Sequence, residues 1–408
     1  MIHLEIPRKF ETLVAQSHQV AVNVLRPNSR RYDTAEHEYP KELDMLAALI
    51  DGMTESGGMG GAGAATVGGG AGDGGDGATG GNRNGTNMAS LLGLMELCWG
   101  DVGLMLSLPR QGLGQAAIAA VATPEQLERF GGKWAAMAIT EPEAGSDSAA
   151  IRTTARLDGD EYVLNGSKIF VTSGERAELV VVWATLDRTQ GRAAIKSFVV
   201  ERSNPGLKLE RLEHKLGIRA SDTANFVLED CRVPKENLLG TPEIERRKGF
   251  AGAMQTFDNT RPMVAGMAVG LARACLDATR EHLREAGIEI DYDRLGGAGQ
   301  SAAAAEFIAM EAEWEAARLL TLQAPWMADN RMPNSLEASM AKAKAGRVGT
   351  DIALRCVALC GATGFGEGEL LEKWARDAKI LDLFEGTQQI QLLIVARALL
   401  GRTSAQLK

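Results

Sequence analysis

The chain has no basic run, and no uninterrupted apolar stretch long enough to cross a bilayer. Its 44 Lys and Arg are outnumbered by 53 Asp and Glu, for a net charge of −9. A broad basic face for nucleic acid is thereby excluded. The most apolar stretch, Met88 to Ala122, is interrupted by Glu96, Asp101 and Arg110, so no membrane span is read in it. The first residues already carry Glu5, Arg8 and Lys9, and no long apolar run follows. No signal peptide is read there, and a cytoplasmic protein is expected. Cysteine and histidine are scarce, at five each. Cys356 and Cys360 have the spacing of a zinc half-site, but no second pair and no nearby histidine completes it. They read as two buried core thiols, and metal chemistry finds no support.

What is present is an ordinary globular composition, 45% hydrophobic and 24% charged over 408 residues. That length suits two or three packed units. Leu13, Val14, Val20, Val24 and Leu25 fall at helical spacing, with Pro27 expected to break the helix. Pro40 opens a second helix through Leu43, Leu46, Leu49 and Ile50. Residues 57–86 form a flexible loop by composition, about half glycine and nearly free of large apolar side chains. The literal G-x-G-x-x-G at Gly58–Gly63 has no preceding strand and carries no dinucleotide reading. Helical patterning resumes from Met88 to Phe130.

From Met137 to Val233 the period becomes that of strands. Tyr162–Leu164 and Lys168–Val171 read as a hairpin turning at Asn165-Gly166. Leu179–Leu186, Ile195–Glu201 and Ala224–Val233 are further strands. Helices return after Gly240: Phe250–Glu285 with Pro262 inside, then Ala303–Gln323 stopped by Pro325. A third opens on an Asn334/Glu337 capping box and ends at Gly361. The expected division is helical 1–135, β 136–240 and helical 241–408.

Two runs carry chemistry. Leu383-Phe384-Glu385-Gly386-Thr387-Gln388-Gln389-Ile390-Gln391 sets a carboxylate beside a glycine, where backbone can approach a ligand closely. A helix-start acid favoured by the macrodipole is the plainer reading of Glu385. Ile139-Thr140-Glu141-Pro142-Glu143-Ala144-Gly145-Ser146-Asp147 is a donor-rich loop suited to a planar polar heterocycle. Taken alone, a Pro-Gly surface turn is its plainer reading.

Neither run stands alone. Between them lie Asn165–Gly174, Leu216–Thr223, Glu229–Pro234, Phe257–Pro262 and Gly361–Phe365. These seven ordered stretches resemble the acyl-CoA dehydrogenase family over roughly Thr123 to Gly401. The N-terminal third matches in helical character only. The resemblance implies an α+β multidomain fold: an N-terminal helical domain, a central β-barrel or sandwich domain and a C-terminal four-helix-bundle domain. It implies FAD as cofactor and acyl-CoA as substrate, with electron-transfer flavoprotein as acceptor. Carried over, Thr140 and Thr172 contact the flavin, Phe170 is its aromatic wall, and Ser146 lies near flavin and thioester. Thr387 and Gln389 bind cofactor. Asp258 and Arg261 meet the pantetheine, although the pair could equally be a helical i,i+3 ion pair. Phe384 and Gly386 line the substrate, and Glu385 is the base. Some members place the base where this chain has Asn259-Thr260-Arg261; Thr260 cannot serve, which leaves Glu385.

The resemblance implies α,β-desaturation: Glu385 takes the α-proton while hydride leaves to flavin N5. Oxyanion donors, the Glu backbone N–H among them, hold the thioester oxygen. Burial beside Phe384 should raise the Glu385 pKa. An acyl-CoA oxidase, or a non-catalytic subunit of a larger assembly, are the competing readings. The family's Arg-x-x-Phe-Gly is missing at Arg284–Tyr292, Ala358 replaces a common Gln, and Ala362 replaces a Gly. By the resemblance, those positions face a neighbour's flavin. The expected assembly is a homotetramer, or a heterotetramer with a second dehydrogenase-like chain. Residues 57–86 lie where related chains have a loop near the substrate mouth, so a mobile lid is expected there.

Overall fold

The computed structural model describes residues 6–55, 85–110, 113–244, 251–294, 299–403 and 406. Most of the glycine-rich segment, and with it the expected lid, lies outside them. So do the side chains of residues 49–55, 251–256, 258 and 259.

The N-terminal part is a run of short helices: α1 (Arg8–Val20), α2 (Arg26–Thr34), α3 (Glu42–Glu55) and α4 (Thr86–Gly100). Next come α5 (Val102–Leu106), α6 (Leu113–Val121) and α7 (Pro124–Phe130). Pro27 does not break its helix as expected. A wider π turn, Ala21–Leu25, precedes it, and Pro27 falls in the first turn of α2, where a missing N–H costs little. On α7, Thr123 and Gln126 form a reciprocal capping box.

The middle part is one seven-stranded mixed sheet. Its strands are β1 (Ala135–Ala138), β2 (Thr154–Asp158), β3 (Glu161–Thr172), β4 (Leu179–Thr185), β5 (Ile195–Glu201), β6 (Leu207–Leu212) and β7 (Thr223–Pro234). They run in the order β1-β4-β2-β3-β7-β6, with β5 paired to β4. The hairpin expected at Asn165-Gly166 is not there. β3 passes straight through it, with a register shift at Gly166, whose φ is 155°. Asn165 instead exchanges hydrogen bonds with Asp230 of β7. The hairpin joins β2 to β3, around Gly159-Asp160.

The C-terminal part holds α8 (Ala251–Glu285), α9 (Ala302–Asp329), α10 (Ser335–Phe365), α11 (Leu371–Leu381) and α12 (Gln388–Leu400). Pro325 does not stop α9. Thr321, Leu322, Ala324, Pro325 and Met327 are all buried, and that packing carries the helix through it. The Asn334 capping box does not form; its side chain donates to Ala324 O at 2.9 Å, tying α9 to α10. Gly361 does break the helical path of α10, at φ 58° and ψ −131°. By length and composition α10 could cross a membrane, but it packs against α8, α9, α11 and α12 and is the central helix of this part.

One large apolar core unites the N- and C-terminal helices, from Leu25, Leu91 and Leu104 to Leu271, Phe307 and Ile352. A second fills the sheet. A third, around Ile139 and Val181, seats α6 on β1 and β4 and receives Phe257 from α8. All five cysteines are buried and unbonded to one another.

Candidate active site

Glu385 lies in the turn between α11 and α12. Its φ is 56° and that of Gly386 is 89°, two consecutive left-handed residues. Glycine is needed at 386 for its backbone conformation. An L side chain strains at that φ, and an added Cβ would sit 2.3 Å from Gln391 Nε2. The turn is anchored upstream by the N–H groups of Leu383 and Phe384, both donating to Ile380 O. Downstream, Thr387 caps α12. Among the described residues no group accepts from the Glu385 N–H, which leaves a donor beside the carboxylate.

The carboxylate accepts from Thr260 Oγ1 at 2.7 Å. Burial raises its pKa; the Thr260 bond and the charges of Arg261 and Lys342 pull the other way without cancelling it. A carboxyl poised above its usual range suits proton abstraction near neutrality. Thr260→Val removes the bond that favours the ionised form. The acid limb of the pH–rate profile should then move up by about one unit, read from initial rates across pH.

The second group of expected residues surrounds the end of β3. Thr140 follows β1, and its carbonyl accepts from Ile169 N at 2.9 Å. A register shift between Lys168 and Val171 turns Phe170 outward at φ 58°. Phe170 is 59% exposed, although its N–H is held by Asn225 Oδ1 at 3.2 Å. An aromatic ring kept outward by strained backbone, beside the half-buried Thr140 and Thr172, fits a planar partner. Ser146 is exposed in the adjoining loop.

That loop has a buried anchor. Glu141 accepts from Lys168 Nζ at 2.7 Å, Arg152 N at 2.6 Å, Thr153 N at 3.0 Å and Thr153 Oγ1 at 2.5 Å. Burial opposes its ionisation, but the Lys168 charge and these bonds hold its pKa below the usual carboxylate range.

The structure thus gathers Glu385, Gly386, Thr260 and Arg261 in one group, and Thr140, Phe170 and Thr172 in another. Phe257 links them, packing from α8 onto the cluster that contains Ile139. Arg261 is buried, Phe384 is half-buried against the helical core, and Gln389 is exposed. The Asp258 side chain lies outside the described residues. In the sequence Thr260 reads only as unable to act as base, and Lys168 and Lys342 pass unnoticed. Lys168 is a lone charge within Gly166–Gly174, whereas Lys342, in Ala341-Lys342-Ala343-Lys344, carries no such mark.

The histidines are less scattered than their spacing suggests: Glu36, His37 and His214 meet between α2 and β7. Several of their polar atoms are engaged. Glu36 pairs with His214 Nδ1 at 2.9 Å and Lys215 N at 2.8 Å, and Glu213 O accepts from His37 Nε2 at 3.0 Å. The cluster straps the helical part to the sheet.

The chain is helical–β–helical, and its raised-pKa carboxylate, Glu385, lies half-buried in the turn between α11 and α12. The family model described as acyl-CoA dehydrogenase, middle domain, matches residues 136–231. The C-terminal domain model of the same family matches 247–400. The mitochondrial short-chain specific acyl-CoA dehydrogenase of Mus musculus is 40% identical over 272 residues, 66% of this chain and 64% of that protein. The chain thus spans under two thirds of that relative's length. The short-chain specific enzyme of Clostridium acetobutylicum is 36% identical over 74% of this chain and 79% of its own. Butyryl-CoA dehydrogenase from Megasphaera elsdenii superposes with a TM-score of 0.80 at 29% identity, covering 98% of this chain and 100% of that one. A structure described as the electron transferring flavoprotein of Acidaminococcus fermentans contains a chain with a TM-score of 0.79 at 30% identity, over 98% and 100%. The chain belongs to the acyl-CoA dehydrogenase family.

Proposed function

We propose that the protein is an FAD-dependent dehydrogenase of short acyl-CoA thioesters. The observation that carries this reading is the Glu385 carboxylate: half-buried, raised in pKa, and beside a backbone N–H that no described residue accepts from. Glu385 takes the proton from the carbon next to the thioester. Its own N–H steadies the negative charge that builds on the thioester oxygen. Thr260 holds the carboxylate in place, and Phe384 and the apolar core behind it limit water. FAD, when bound, supplies the hydride acceptor. Phe170, Thr140, Thr172 and Ser146 would hold it, with Thr387 and Gln389 from the start of α12.

The likeness to short-chain and butyryl-CoA enzymes supports a short acyl group. Anaerobic titration with butyryl-, octanoyl- and palmitoyl-CoA tests it, read as loss of flavin absorbance. Butyryl-CoA should bleach fastest; no bleaching by any of them overturns the reading. An electron-transferring flavoprotein is the acceptor we propose. Rapid reoxidation by oxygen alone would instead make the protein an oxidase.

We further propose that the chain assembles with others. Leu354 and Ala358 are exposed on α10, Ala362 and Phe365 are exposed past its break at Gly361, and Leu399 and Leu400 are exposed at the end of α12. Native mass spectrometry separates a homotetramer from a heterotetramer. Full FAD occupancy in protein containing this chain alone would exclude a second kind of chain.

A further inference from the structure

Lys342 is the most unusual group near the base. It sits on α10 with none of its surface exposed, and its ammonium donates to Gly386 O at 2.7 Å. Gln391, equally buried on α12, donates through Nε2 to Glu385 O at 2.9 Å and to Gly386 O at 3.3 Å. Two buried side chains from two helices therefore hold both carbonyls of the left-handed pair. We propose that Lys342, together with Gln391, is a positioning residue of the reaction, fastening the turn that presents the Glu385 carboxylate and N–H. This rests on the reading of Glu385 as the base.

Backbone strain is what makes such a clamp necessary. A non-glycine residue at φ 56° is held against its local preference. Released, the turn relaxes toward negative φ, and both the carboxylate and the N–H swing away. Thr260 holds only the tip of the Glu385 side chain, so it cannot keep the backbone in place. Lys342 and Gln391 do. Lys342 also contributes a positive charge that favours ionised Glu385.

The plainer reading is a buried ammonium that took the nearest carbonyl. The two readings predict opposite patterns. Burial pushes the Lys342 pKa down to about 8, so its charged form is kept at a cost to the fold. An apolar Met of similar length relieves that cost. Under the plainer reading, Lys342→Met leaves the rate alone and raises or preserves the melting temperature. Under the positioning reading, the melting temperature behaves the same way while the rate collapses.

The test uses the flavin-loaded protein. Lys342→Met should slow bleaching by butyryl-CoA about 100-fold, with the melting temperature equal to or above wild type. Amide hydrogen exchange across residues 382–391, measured by mass spectrometry without substrate, should speed up at least about tenfold, with α8 unchanged. Gln391→Leu should reproduce both effects, which covers the case in which Lys342→Met does not fold. Lys342→Arg, which keeps donors and charge, should recover part of the rate. Wild-type exchange across 382–391 and a bleaching rate within threefold of wild type, in both Lys342→Met and Gln391→Leu, overturn the proposal. Glu385→Gln is run in parallel. If it still bleaches at the wild-type rate, the base is misassigned, and the exchange data still decide whether the clamp exists.

Discussion

Glu385→Gln should abolish bleaching by acyl-CoA while leaving the protein folded and the flavin bound. The amide matches the carboxylate in size and still accepts from Thr260 Oγ1, which lies 2.7 Å from Glu385 Oε2 in the wild type. The turn keeps its geometry, since the Lys342 and Gln391 bonds go to backbone carbonyls and not to the side chain. Only the capacity to take a proton is lost. A positioned base contributes about 10²–10⁴-fold, so the rate constant should fall by at least about 10³. Stability should move the other way. The folded pKa of Glu385 is raised above that of the unfolded chain. As pH rises past the unfolded pKa, the unfolded chain ionises first, and the wild type loses stability relative to the variant. At pH 7 the Gln variant should therefore melt at or above the wild-type temperature. A variant that is both inactive and less stable would show that Glu385 acts through structure, and the mechanism would need another base.

The family was legible because seven stretches fall in order along the chain; taken alone, the Glu-Gly pair and the Thr-Glu-Pro loop read as a helix-start acid and a surface turn. What sequence could not show was how they are held. Thr260 looked inert because a hydroxyl cannot act as base, yet its hydroxyl bonds the Glu385 carboxylate. Lys342 and Lys168 looked like ordinary lysines because burial is a tertiary property. The strand errors have local causes. β1 is four residues rich in alanine, buried on both faces and recruited by parallel pairing with β4, which no alternation reveals. β6, Leu-Lys-Leu-Glu-Arg-Leu, alternates but is charged, as befits an edge strand. Asn165-Gly166 has the composition of a tight turn, and the neighbouring strand overrode it. Pro27 and Pro325 are helix breakers by rule, and here tertiary packing and a π turn absorb them. α11 was hidden because its charged face leaves only a narrow apolar stripe ahead of the Glu385 run.

Lys373→Met should destabilise the fold more than any substitution at Glu385, Thr260 or Lys342. Lys373 is fully buried on α11 and pairs with two carboxylates, Asp101 and Asp377, the latter at 2.7 Å. Each carboxylate has further work. Asp101 caps α5 through Leu104 N at 2.7 Å and accepts from Ser29 Oγ. Asp377 accepts from Ile218 N at 2.5 Å, pinning the 216–223 loop, in which Ile218 has φ 48°, to α11. Removing the ammonium leaves two buried acids facing each other. Breaking a buried pair costs about 3–5 kcal/mol, which in a chain of this size lowers the melting temperature by about 4–6 °C. The neighbouring Arg376, bonded to Asp33 at 2.6 and 3.0 Å, is partly exposed and should cost less when replaced. The triple variant Lys373→Met, Asp101→Asn, Asp377→Asn removes the charges together and should recover much of the loss, because uncompensated charge, not a missing contact, is the penalty. Differential scanning calorimetry of the wild type and the two variants decides it, and a Lys373→Met protein melting within about 2 °C of wild type would refute this role for the ammonium. The same cluster matters for chemistry: it fixes α11, and α11 runs directly into the turn that carries Glu385. Partial release of the cluster in the single variant should therefore slow bleaching by butyryl-CoA well below the melting transition, and restoring neutrality in the triple variant should bring the rate back with the stability.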